Sequence, residues 1–146
     1  MSRYIAGSRC NGSDPGLMPG FNKVAIGAAD VQSIIGVDAI DMMSAHLHVA
    51  SGGSAVAAVK VYASNSYSPG ANVQDETAAL VPGNWVEITA ECVGIVAITG
   101  AGAQDMIVIP QRTGTAGKIM FTYLRFVIAH TSGAGTLTGW SHGREI

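Results

Sequence analysis

Charge is scarce in this chain. Charged residues are 12% of its 146 residues, about half of the roughly 25% usual in a soluble domain. Cysteine is scarce too: Cys10 and Cys92 are the two present, too few for a disulfide framework. Aromatics are 6%. Mean hydropathy is high at +0.32, yet Gly, Thr or Ser interrupts every apolar stretch before the roughly 18 residues a membrane helix needs. No membrane partner is expected. No segment has sustained helical periodicity, which excludes a parallel α/β fold, whose crossovers need connections of a dozen or more residues, usually helical. A basic-then-apolar leader with a small-residue cleavage site is not seen at the start, so the sequon Asn11-Gly12-Ser13 is read as incidental.

So little charge without a membrane span implies that a partner covers part of the surface, and a homo-oligomer is expected. The net charge of −2 gives no reason to expect nucleic acid. The charges are also unevenly spread: the chain is basic through Lys23 and basic again after Gln111. Between Val24 and Gln111 Lys60 alone opposes eight acids, a pattern that suits head-to-tail pairing of copies as well as it suits scattered solvated charges.

What is present reads as strands. Residues 1–22 hold four Gly, two Pro and three Ser with no periodicity and read as an extended arm. Its apolar residues Tyr4, Ile5, Leu17, Met18 and Phe21 either fold back or dock on a neighbour. From Lys23 onward short segments alternate with period two: Val24–Ala28, Val31–Val37, Met43–Ala50, Val56–Ser64 and Trp85–Ala90. Cys92–Thr99 and Met106–Ile109 read as short buried strands. The stretch 65–84 carries Pro69-Gly70 and Pro82-Gly83 and reads as a long contact loop. Ile119–His142 reads as a hairpin whose first arm is apolar on both sides, with Leu124, Phe126 and Ile128 on one face and Tyr123, Arg125 and Val127 on the other. Such an arm is central and covered on both faces, or it lies at a subunit contact. The fold class expected is all-β: an antiparallel, jelly-roll-like β-sandwich over 23–146 with an extended N-terminal arm over 1–22.

Catalytic chemistry finds no footing. Gly100-Ala101-Gly102 opens no helix, and Thr113–Lys118 fails the phosphate-loop pattern at both ends. No Gly-x-Ser-x-Gly elbow or EF-hand loop is present. The carboxylates Asp38, Asp41, Asp75, Glu76, Glu91 and Asp105 show no spacing that favours an acid/base pair. No catalytic residue, no cofactor and no metal is assigned, and the chain is read as a non-enzyme. His46 and His48 share one strand face as a His-x-His metal pair does, but the carboxylate and second motif of the metal-binding cupins do not follow. Tyr62, Tyr67 and Trp85 border the long loop and suit either a sugar-stacking platform or an anchored protein interface.

The order VKVYASNS, NWVEITA, YLRF and TSGAGTL resembles a pattern in small β-sandwich virion proteins of tailed bacteriophages. The matching positions are Val59–Asn65, Trp85–Thr89, Tyr123–Phe126 and Thr131–Leu137. The resemblance implies a non-enzymatic virion subunit, a decoration or cement protein on the capsid surface that binds the major capsid protein and its own copies. Tyr4, Ile5, Leu17, Met18, Phe21, Tyr67 and Trp85 are then the expected partner-binding residues. The alternative is a carbohydrate-binding β-sandwich module of a tail or baseplate component.

Overall fold

Period-two alternation in the sequence becomes two facing sheets in the computed structural model, which describes residues 3–6, 16–38, 40–66 and 85–145, of which 3–6, 144 and 145 as backbone alone. The strands are β1 (Arg3–Ala6), β2 (Val24–Ile26), β3 (Val31–Gly36), β4 (Met42–Val49), β5 (Val56–Ser64), β6 (Val86–Glu87), β7 (Ile98–Thr99), β8 (Gln104–Val108), β9 (Tyr123–Ser132) and β10 (Gly135–Glu145). The one helical element among the described residues is a 3-10 turn, Thr89–Glu91. The first sheet runs β1-β10-β4-β8, with β2 also on β10, and the second runs β3-β9-β5-β6, with β7 also on β5.

All pairings are antiparallel, and they nest. β2 pairs with β10, β3 with β9, β4 with β8, and β5 with β6 and β7. Read along the chain, β2 through β5 alternate between the sheets, and so do β8 through β10. This is the wrapped pairing of a jelly roll, and the chain is an antiparallel β-sandwich. In β4 the side chains of Met43, Ala45, Leu47 and Val49 are buried while their neighbours are partly exposed. β9 is central in its sheet, with Leu124, Phe126 and Ile128 in the core and Arg125 and Val127 buried on the opposite face. Both faces are covered, so the subunit-contact reading of this strand is not needed.

Three expectations are corrected. The stretch 119–142 is not a hairpin: β9 and β10 lie in different sheets, and the strand begins at Tyr123, leaving Met120 exposed. The Gly-rich segment between them is a corner that carries the chain from one sheet to the other. Residues 92–97 are not a buried strand, since Val93 and Val96 are exposed and, among the described residues, their strand pairing is one isolated bridge, Val93 to Ile109. Finally, the break at residue 22 is not a structural boundary. β1 adds to the edge of β10, and the side chains of Met18 and Phe21 are buried in the chain's own core.

The last point has a packing cause. Gly139 stands on the inward face of β10, where a Cβ would meet Phe21 Cδ2 at 3.0 Å and Met18 Sδ at 3.1 Å. The missing side chain leaves a notch, and the Met18–Phe21 turn fills it. Backbone bonds from Met18 N to Gly139 O (2.8 Å) and from Gly139 N to Phe21 O (2.7 Å) pin the turn there. Fully buried aromatic and thioether side chains of this size stabilise a fold by about 1.5–3 kcal/mol each. Met18 and Phe21 are therefore core residues and not partner contacts.

Candidate functional site

The outward face of the first sheet gathers the polar and aromatic side chains that its inward face excludes. On β4, His46 and His48 alternate with buried Ala45, Leu47 and Val49. On β8, Asp105 and Ile107 alternate with buried Met106 and Val108, and on β10, Thr138 and Trp140 alternate with buried Leu137, Gly139 and Ser141. Register then sets rows across the sheet, because directly opposed residues share a face. Trp140 lies opposite His46 and His46 opposite Ile107; Thr138 lies opposite His48 and His48 opposite Asp105. Leu17 bridges to Trp140 from the far side, extending the first row to Leu17–Trp140–His46–Ile107.

Asp105 ties the rows together. His46 Nε2–H donates to its Oδ1 at 2.7 Å and His48 Nδ1–H donates to the same oxygen at 2.9 Å. A carboxylate oxygen can only accept, so both nitrogens that touch it carry hydrogen. The His46 ring lies 5.3 Å from the Trp140 ring at a tilt of 57°. The bond from His46, then that from His48, holds the Asp105 carboxyl below the ordinary aspartate range. A carboxyl lowered in the folded state contributes stability above its unfolded value and loses that contribution as pH falls through the lowered one. A carboxyl-detected NMR titration should therefore place the Asp105 midpoint below that of ordinary aspartates. It should rise toward the ordinary range in a His46→Ala/His48→Ala double variant; an unchanged midpoint there would dismiss the pairing.

The other histidines do not join this pair. His130 Nε2 contacts Gly133 O at 2.7 Å in the sheet-crossing corner, and His142 lies opposite Ser44, two residues from His46 along β4. Among the described residues no group of three or more His, Cys, Asp or Glu side chains is arranged to hold a metal ion. Two of the candidate acids are already engaged: Asp105 by imidazoles, and Glu91 by Arg112 Nε (2.8 Å) and Thr113 N (2.9 Å). The Cys92 thiol donates to Ile88 O and is pushed up by burial, which suits packing better than nucleophilic attack.

Of the aromatic residues expected to form a platform beside the long loop, Tyr62 and Trp85 are described. Tyr62 is 9% exposed on the outward face of the second sheet, where burial and then the charge of Glu87 push its phenol up. Trp85 instead sits 5.8 Å above the guanidinium of Arg125, itself 3% exposed. Tyr67, Cys10, Asp75, Glu76 and most of the 65–84 loop lie outside the described residues, as do the side chains of Tyr4 and Ile5. Close by, a groove of about 480 Å³ runs between the end of β5 and the 112–121 segment, lined by Val86, Arg112, Thr115, Met120 and Phe121 among others.

Sequence reasoning found the histidines but missed Asp105 and Trp140 as their companions. The outward phase of both was readable from alternation. Their proximity was not, because it depends on which strands flank β4.

These elements define a jelly-roll β-sandwich with a polar, partly aromatic face on one sheet. Compared with family models and with curated proteins, the chain matches none. Among solved structures it is similar to chitosan-binding module 1, derived from a chitosanase/glucanase of Paenibacillus sp. IK-5. The identity is 12%, with 97% of this chain and 92% of that one covered, at a TM-score of 0.39. It is also similar to CBM35 from Cellvibrio japonicus Abf62, at 10% identity, the same coverages and a TM-score of 0.37. At these values the likeness carries nothing about what this chain binds.

Proposed function

We propose that the chain is a bacteriophage virion structural protein, a decoration or cement subunit on the capsid surface that binds the major capsid protein and neighbouring copies of itself. The observation that carries the reading is where the phage-like segments fall. Val59–Asn65, Trp85–Thr89 and Tyr123–Phe126 coincide with β5, β6 and β9, adjacent strands of the second sheet. Thr131–Leu137 forms the corner out of that sheet into β10. The resemblance thus covers one contiguous structural unit and not scattered strands.

Two further features support it. Low charge leaves a surface that is better solvated when partly covered. The groove beside the second sheet offers Val86, 52% exposed, and Met120, 66% exposed, as apolar ground for a partner. Such a subunit works by burying apolar area against its neighbours, which needs no catalytic group.

Quantitative mass spectrometry of purified particles tests the proposal. The chain should be present in a fixed copy number commensurate with the major capsid protein. Washed, intact particles that lack it would rule the reading out.

A further inference from the structure

The outward face of the first sheet is built to do something that the proposed assembly role does not use. Asp105 Oδ1 takes both imidazole N–H groups, which fixes the orientation of the two rings. The second ring nitrogens, His46 Nδ1 and His48 Nε2, lie across their rings from that contact. Neither nitrogen has a protein partner among the described residues, and nor has Asp105 Oδ2. Three polar side chains therefore stand together, partly exposed, held by a shared hydrogen-bonded carboxylate on two paired strands. Preorganised polar atoms of this kind bind at lower entropic cost than flexible surface groups.

Beside them runs the row Leu17–Trp140–His46–Ile107. Trp140 is partly exposed, and Ile107 is one of the most exposed large apolar side chains among the described residues. Trp140 with Leu17 beside it gives an apolar shelf next to the His46–Asp105–His48 cluster, with Ile107 on the far side of His46. A ligand that satisfies both needs an apolar C–H face on one side and several O–H or N–H donors on its rim. A pyranose ring has that shape: its axial C–H groups pack on an indole, and its hydroxyls donate to carboxylate and imidazole acceptors. An amino sugar fits the same chemistry, since its ammonium donates to the carboxylate and is attracted by the indole face.

We propose that this face, with Trp140 as the stacking ring and Asp105, His46 and His48 as the acceptors, is a saccharide-binding site. It lies on the opposite sheet from the Val86–Met120 groove, so capsid attachment and sugar binding need not compete. Each can also fail without the other.

The test is a titration of the full chain with glucose, galactose, mannose and glucosamine tetrasaccharides, read by calorimetry and by amide chemical-shift changes. At least one sugar should bind, with the shifts concentrated on β4, β8 and β10. Preference for glucosamine would identify an amino-sugar site, and preference for another member a neutral-sugar site. Asp105→Asn, an isosteric change at an exposed position, should weaken binding at least tenfold because it replaces an acceptor by a donor and releases both imidazoles. Trp140→Ala should weaken it as much or more, and Val86→Ser, on the other sheet, should leave it unchanged. The proposal is overturned if none of the four sugars binds, if the shifts map elsewhere, or if Asp105→Asn binds as the parent does. It is equally overturned if binding requires a divalent cation, because the three acceptors would then serve the ion.

Discussion

Replacing Phe21 by alanine should destabilise the isolated domain by about 3–5 kcal/mol, the range for truncating a fully buried aromatic. Phe21 is 0% exposed and belongs to the continuous core cluster that both sheets share. Its ring fills the notch that Gly139 leaves on β10, in company with Met18 and Leu47. Truncation would open a cavity beside Gly139, which has no side chain of its own to refill it. The contrast with an arm that docks on another subunit is direct. In that case Phe21→Ala would leave the midpoint of urea denaturation of the lone domain where it was and weaken assembly alone. A shift of less than about 1 kcal/mol in the lone domain would return Phe21 to the surface.

How much of this was legible in the sequence depends on what each element needed to know. β4 and β5 were readable almost to the residue, because alternation of apolar and polar side chains is a local property and each strand has one core-facing side. The burial of β9 on both faces was readable from its doubly apolar pattern. What the pattern withholds is the partner. A strand, a glycine turn and a second strand spell a hairpin and a sheet-crossing corner in the same letters. The difference lies in Ser54 and Ala55, some eighty residues upstream, against which the corner packs. The arm was misjudged for a related reason: glycine and proline around Leu17–Phe21 mark an irregular backbone, and irregular backbone still carries core side chains when a partner strand leaves room. The candidate site was half legible. His46 and His48 share a face by spacing alone, but Asp105 and Trp140 arrive from strands 57 and 94 residues beyond His48 and His46 respectively, and adjacency at such separation is set by topology.

The corner itself supplies the sharpest test of that topology. Gly133→Ala should cost about 3 kcal/mol, measured by chemical denaturation, from two sources. Gly133 has φ +69°, a left-handed conformation that disfavours a Cβ by about 1–2 kcal/mol. The added Cβ would also be placed 2.1 Å from Ser54 O and 2.7 Å from its carbonyl carbon, a backbone approach that no rotamer change can relieve. Relief requires the corner to lift away, which breaks the Ser54 N to Ala134 O hydrogen bond of 2.7 Å, a further loss of about 0.5–1.5 kcal/mol. Gly52→Ala is the internal reference. Its φ is +86°, also left-handed, yet a Cβ there meets nothing within 4 Å, so it should cost only the backbone component of about 1–2 kcal/mol. If β9 and β10 were a simple hairpin projecting into solvent, the two substitutions would cost the same. A clear excess at Gly133 is what a corner packed against the Ser54 turn demands, since of these two glycines Gly133 is the one that packs against a distant stretch of backbone.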